Sequence, residues 1–211
     1  MMGALIAGWR KAWGQGDFPF LYVQKPSGGG CTWEAGPSGR GRNRFAAQPT
    51  AANKAAAGRR REHWIRIMEY PRTAMVTASD LAGGLHPIDK SGYGRRACRV
   101  ALGFVYGRDP AIYGPIYDSY AVEGGKIRVR FKHVGRGLVF RHGEKLQGFE
   151  IAGSDGIYHW AEARIEGDAV VVASPAVARP VHVRYGWAKK HAWANLFNRD
   201  RLPALTFRTE R

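Results

Sequence analysis

Apolar positions follow one rhythm in the first half of the chain and another in the second. In "GALIAGWRKAW" (3–13), Leu5, Trp9 and Trp13 recur one turn apart, which predicts a short amphipathic helix. "GQGD" breaks it. "FPFLYVQ" (18–24) is a compact aromatic and β-branched run that suits a buried strand. From 25 to 61 no period survives: the stretch is rich in Gly, Pro, Ser, Ala and Arg and reads as one long irregular loop. "EHWIRIMEY" (62–70) predicts a helical turn or two, closed by Pro71. "TAMVTASD" (73–80) predicts a strand that ends on a polar pair. In "YGRRACRVALGFVYG" (93–107), Ala97, Val100, Ala101, Phe104 and Val105 fall on one helix face. Strand, loop and helix in alternation point to an α/β layer with parallel strands.

From about residue 110 the apolar runs shorten and turn signals recur every 8 to 12 residues. "VEGGKI" and "IEGDAV" predict tight hairpins in which glycine supplies a positive φ. The expectation is α/β plus β: an α/β part over 1–109 and an antiparallel β-sandwich over 110–211. The last stretch, "WANLFNRDRLPALTFRTER", is expected to lie along the sandwich as an irregular tail.

Composition narrows the function classes. The 211 residues are 45% hydrophobic and 12% aromatic, enough for a packed core. No run approaches the roughly 18 apolar residues that a membrane helix needs. The first 18 residues lack the long apolar stretch and small-residue cleavage site of a secretion signal. Cys31 and Cys98 form no CxxC, so neither a disulfide framework nor a thiolate metal site is expected. The six histidines other than His86 show no metal-ligand spacing.

Net charge is +16, from 33 basic and 17 acidic residues. Such a charge attracts nucleic acid, anionic glycans and acidic lipids without choosing among them. Arg40, Arg42, Arg44, Lys54, Arg59, Arg60, Arg61 and Arg66 stand against the single acid Glu62. This strip is expected to be solvated, and no nucleic-acid-binding motif accompanies it. Core packing is expected for the helix and strand tryptophans, whereas Trp33, in the loop, could line a glycan site.

Candidate chemistry sits in "GGLHPIDKSGYGRR" (83–96). In open α/β sheets, ligands gather at the carboxyl ends of the strands. The strand over 73–80 delivers Asp80 to such an end, and the loop after it presents His86, with Pro87 next to it. An imidazole held by a carboxylate is the general-base half of a hydrolytic triad. The spacing permits this arrangement without requiring it, and a lone histidine near an aspartate is usually structural.

The stretches "LIAGWRKAWGQGDFPFLYVQ", "TAMVTASDLAGGLHPIDKSGYGRRA", "GPIYDSYAVEGGKIRVRF", "GFEIAG", "VRYGWA" and "NLFNRDRLPALTFRT" resemble, in this order, the C-terminal half of sialate O-acetylesterases. These belong to the SGNH (Gly-Asp-Ser-type) hydrolases among the carbohydrate esterases. The resemblance covers nearly the whole chain outside about 25–62. It implies the C-terminal part of a flavodoxin-like α/β domain followed by a β-sandwich. It implies removal of acetyl groups from sialic acids and related sugars by a serine nucleophile and a histidine base, without metal or organic cofactor. It also implies relatives that are often exported. His86 of "HP" matches the family's base. Many such enzymes place an aspartate three residues before that histidine, but position 83 is glycine here. Asp80 is the nearest upstream acid, and a backbone carbonyl is the other way to orient the ring.

The chain departs from this pattern at the nucleophile. It contains no Gly-Asp-Ser. "GPSGRG" has Arg40 where a nucleophile elbow needs its final glycine, and Ser91 follows the histidine in the wrong context. The expectation is a chain that holds the base-bearing half, is incomplete as a catalyst alone, and takes a separate N-terminal half as partner. Phe18, Phe20, Leu21, Val23, Met75 and Val76 are then expected to lack neighbours. The competing expectation is a glycan-binding or interaction module without catalysis.

Overall fold

The computed structural model describes residues 1–24, 48–52, 58–81, 90–188, 191 and 193–210. Helix α1 (Met2–Trp13) ends at Gly14, whose φ of 64° lets its N–H turn back to the Arg10 carbonyl at 3.1 Å. Its orientation differs from the expected one. Ile6 and Arg10 are buried, while Leu5, Trp9 and Trp13 are 42, 44 and 61% exposed. The Arg10 guanidinium explains the difference. It donates to the carbonyls of Phe18 and Pro71, both at 2.8 Å, so it must face inward, and the tryptophan stripe on the neighbouring face turns out.

Strands β1 (Phe20–Val23) and β2 (Thr73–Val76) pair in parallel, Phe20 opposite Thr73. All four residues of β2 are buried, as suits a parallel strand covered on both faces. Helix α2 (Arg59–Arg66), a 3₁₀ turn (Ile67–Glu69) and helix α3 (Ser91–Val100) belong to this part. The apolar face expected over 93–107 continues past α3 as a π turn, Ala101–Val105. Met75 and Val76 do not lack neighbours. They share a core with Tyr22, Val100, Tyr113 and Leu205, so residues far along the chain cover them. Val23 does remain 46% exposed.

The second part is antiparallel. One four-stranded sheet has the order β3 (Ile116–Glu123), β4 (Lys126–Lys132), β9 (Ala169–Ala173), β8 (Glu162–Glu166). Gly124 and Gly167, at φ 62° and 61°, make the two tight hairpins of this sheet. Along β4, buried Ile127, Val129 and Phe131 alternate with more exposed residues, the period-two pattern of a half-covered strand. A second four-stranded sheet contains β12 (Phe207–Arg208), β10 (His182–Tyr185), β6 (Phe149–Ala152) and β7 (Tyr158–Trp160). Strands β5 (Leu138–Phe140) and β11 (Leu196–Asn198) pair separately. One core draws Ile127 and Val172 from the first sheet, Phe149, Ile151 and Val183 from the second, and Leu138 and Leu196 from the pair. Overall the fold is mixed α/β with several antiparallel sheets.

The tail is not irregular. It supplies β11 and β12 and then ties the two parts together. Asn198 is fully buried. Its amide donates to the Tyr113 and His133 carbonyls, and its oxygen accepts the Leu202 N–H at 3.0 Å. The Leu205 N–H reaches the Pro115 carbonyl at 2.9 Å, which places Leu205 in the α/β core. Among the described residues, no helix is long and apolar enough to cross a membrane.

Candidate active site

Beyond β2, the chain stays buried through Thr77, Ala78, Ser79 and Asp80. Gln24 after β1 holds this segment. Its N–H donates to the Val76 carbonyl at 2.9 Å, and its side-chain oxygen accepts the Ala78 N–H at 3.3 Å. Asp80 is 4% exposed and Arg96, one and a half turns into α3, is 8% exposed. Arg96 Nη2 donates to Asp80 Oδ2 at 2.6 Å, Nη1 donates to Oδ1, and Nη1 also reaches the Thr77 carbonyl at 2.9 Å. A fork-on-fork pair with little water around it fixes the end of β2 against α3.

Tyr93 shares this environment. Burial, with a further push from the Asp80 charge, raises its phenol to about 12, so it stays protonated at neutral pH. Thr77 Oγ1 is buried with no hydrogen-bond partner among the described residues. The second part of the chain also reaches this point. His142 is held below the usual imidazole range by desolvation and by Arg141, while Asp80 pulls it up. The Arg141 guanidinium is lowered by desolvation and by Arg201. Sequence reasoning gave His142 no role. No spacing could have indicated that residues 62 apart in sequence would share a field. Asn195 fixes the loop that carries His142, donating to the His142 carbonyl at 2.9 Å and the Lys145 carbonyl at 2.8 Å.

His86 lies in 82–89, outside the described residues, as do Trp33, Cys31, Arg40, Arg42, Arg44 and Lys54. The structure therefore brings Asp80 together with Arg96 and Tyr93. Of the basic strip, Arg61 is not solvated: it is buried, donates to the Ala188 carbonyl at 3.0 Å, and is lowered by burial to about 10. Cys98 is exposed. Among the described residues, no group of three or more His, Cys, Asp or Glu side chains could hold a metal ion.

The chain is similar to a carbohydrate acetylesterase. The solved structure of that enzyme, from Xanthomonas citri, matches 99% of this chain at 32% identity with a TM-score of 0.79. The chain covers 45% of the enzyme's length. No family model and no curated protein matches the chain. The likeness spans both the α/β part with Asp80 and the antiparallel sheets.

Proposed function

We propose that these residues form the base-bearing part of a carbohydrate O-acetylesterase of the SGNH type. The α/β part, 1–109, is the C-terminal portion of a flavodoxin-like domain, and 110–211 is a β-sandwich. The observation that carries this reading is the 32%-identical fold match to a carbohydrate acetylesterase over 99% of the chain. His86 is the general base and Asp80 the acid that orients it. A carboxylate has about four lone-pair directions. Arg96 takes two, so Asp80 retains acceptor capacity for an imidazole N–H.

The reaction is acyl transfer. A serine Oγ attacks the acetyl carbonyl while His86 takes its proton. The tetrahedral intermediate collapses, and the proton passes to the departing sugar oxygen. Water, deprotonated by His86, then releases acetate and restores the serine. The chain has no Gly-Asp-Ser, so the nucleophile belongs to polypeptide outside these 211 residues. The outward stripe of Leu5, Trp9 and Trp13, together with exposed Val23 at the edge of a two-stranded sheet, supports such a docking partner. Sialate is the sugar proposed, from the family-like stretches.

The test joins this chain to the serine-bearing segment of the Xanthomonas citri acetylesterase and measures acetate release from O-acetylated sialic acid and from acetylated neutral sugars. His86→Ala is expected to lower kcat at least about 100-fold. Full activity in that variant removes the base assignment. Equal turnover of neutral sugars removes the sialate preference.

A further inference from the structure

The register of β3 contains an irregularity with a functional reading. Residues three apart on a regular strand face opposite sides. Here the pairing shifts between Tyr117 and Ser119, so Tyr117 lies opposite Phe131 and Tyr120 opposite Val129. Phe131 and Val129 are both buried on one face of β4. The extra residue, Asp118, thus turns both tyrosines to the same side, a common use of a bulge beside a site.

Those two rings form one wall of a cleft of about 680 Å³, within the size range of small-ligand sites. Tyr117 is fixed by stacking on Phe207, with ring centroids 4.7 Å apart and planes 16° from parallel. Tyr120 is 38% exposed. Glu62 and Arg66 of α2 face them, and Arg208, Thr209 and Glu210 close the cleft. The charges cancel, two carboxylates against two guanidiniums. Their mutual contacts are long: Arg66 to Glu62 is 3.5 Å, Arg208 to Glu62 is 3.4 Å and Arg208 to Glu210 is 3.7 Å. Good charged hydrogen bonds are nearer 2.7–2.9 Å, so these groups keep donor and acceptor capacity for a ligand. The cleft is nevertheless anchored. Tyr158 donates to Glu210, Arg184 lies over the Tyr158 ring at 3.7 Å, and Arg184 pairs with fully buried Glu150.

We propose that this cleft binds a neutral oligosaccharide. A pyranose offers C–H faces to the tyrosines and hydroxyls that both donate and accept to the carboxylates and guanidiniums. An anion would gain nothing from a site with no net charge. The cleft shares no residue with the Asp80–Arg96–Tyr93 cluster. It would hold a glycan chain without cleaving it, and the inference stands whether or not the hydrolytic reading does.

The experiment titrates the full chain with cellotetraose and xylotetraose, followed by ¹⁵N–¹H NMR at low salt and at about 0.5 M salt, where exposed charge pairs are screened. Saturable shifts at Tyr117, Tyr120 and Arg66 are expected, with the same Kd at both salts. Tyr120→Ala should raise Kd about tenfold, the loss of one aromatic contact, and Tyr120→Phe should keep Kd within about twofold. No saturable shift up to about 10 mM sugar, binding unchanged in Tyr120→Ala with its folded spectrum intact, or binding confined to sulfated sugars and lost in salt would each overturn the proposal.

Discussion

Asp80 and Arg96 meet through both oxygens and both terminal nitrogens, at the point where β2 ends against α3. Each is more than nine-tenths buried. Removing one partner from a buried pair leaves the other charge uncompensated, at a cost of about 3–5 kcal/mol. Asp80→Ala is therefore expected to lower stability by that amount in urea unfolding. The double variant Asp80→Leu/Arg96→Met should recover most of it, since neither charge then remains. A loss in Asp80→Ala below about 1 kcal/mol would mean that water reaches the pair.

His191 supplies a pH dependence. It is buried, and desolvation, then Arg61, holds its imidazole well below the usual value. The unfolded chain takes up a proton near pH 6.5 while the native protein does not. The stability it contributes is thus present above about pH 6.5 and is lost as pH falls toward the native value, with a limiting slope of about 1.4 kcal/mol per pH unit. His191→Gln should flatten the profile of unfolding free energy between about pH 6.5 and 5. An unchanged slope would assign the acid sensitivity elsewhere.

Trp13 stacks on Phe18 with centroids 5.1 Å apart yet is 61% exposed. Trp13→Lys should change stability by less than about 1 kcal/mol. It should also lower binding of a hydrophobic dye and weaken association with a serine-bearing segment. A cooperative loss of fold in this variant would show that the stripe belongs to the core.

Asn195 is fully buried and its side chain makes three hydrogen bonds, including the Gln147 N–H to its amide oxygen at 2.8 Å. Asn195→Ala strands these groups, at about 1–3 kcal/mol for each left unsatisfied. Faster amide exchange over 141–147 is expected, ahead of the rest of the molecule.

Gly114 passes under the tail, where a Cβ would run into the Pro203 carbonyl oxygen. Backbone cannot move aside as a flexible side chain can. Gly114→Ala should cost about 1–3 kcal/mol in thermal or urea unfolding. A neutral result would mean that the tail yields easily at this crossing.

Period, glycine turns and chain order were legible in the sequence alone. They located α1, both strands of the parallel pair, α3 and the two hairpins at Gly124 and Gly167, because each depends on residues within one element. Asp80 was expected to end the strand itself, but β2 stops at Val76 and Asp80 lies in the buried segment beyond it. The tertiary structure decided what depends on distant partners. Arg10 turned inward because the Phe18 and Pro71 carbonyls were there to receive it, and the tryptophans followed outward. Short apolar runs among Asn, Asp and Pro became β11 and β12 because β5 and β10 offered open edges. Arg96 reached Asp80 across 16 residues, and Leu205 reached the α/β core from the far end of the chain. Local periodicity carries no information about such partners, since a buried charge or a strand edge is satisfied by whatever the fold brings to it.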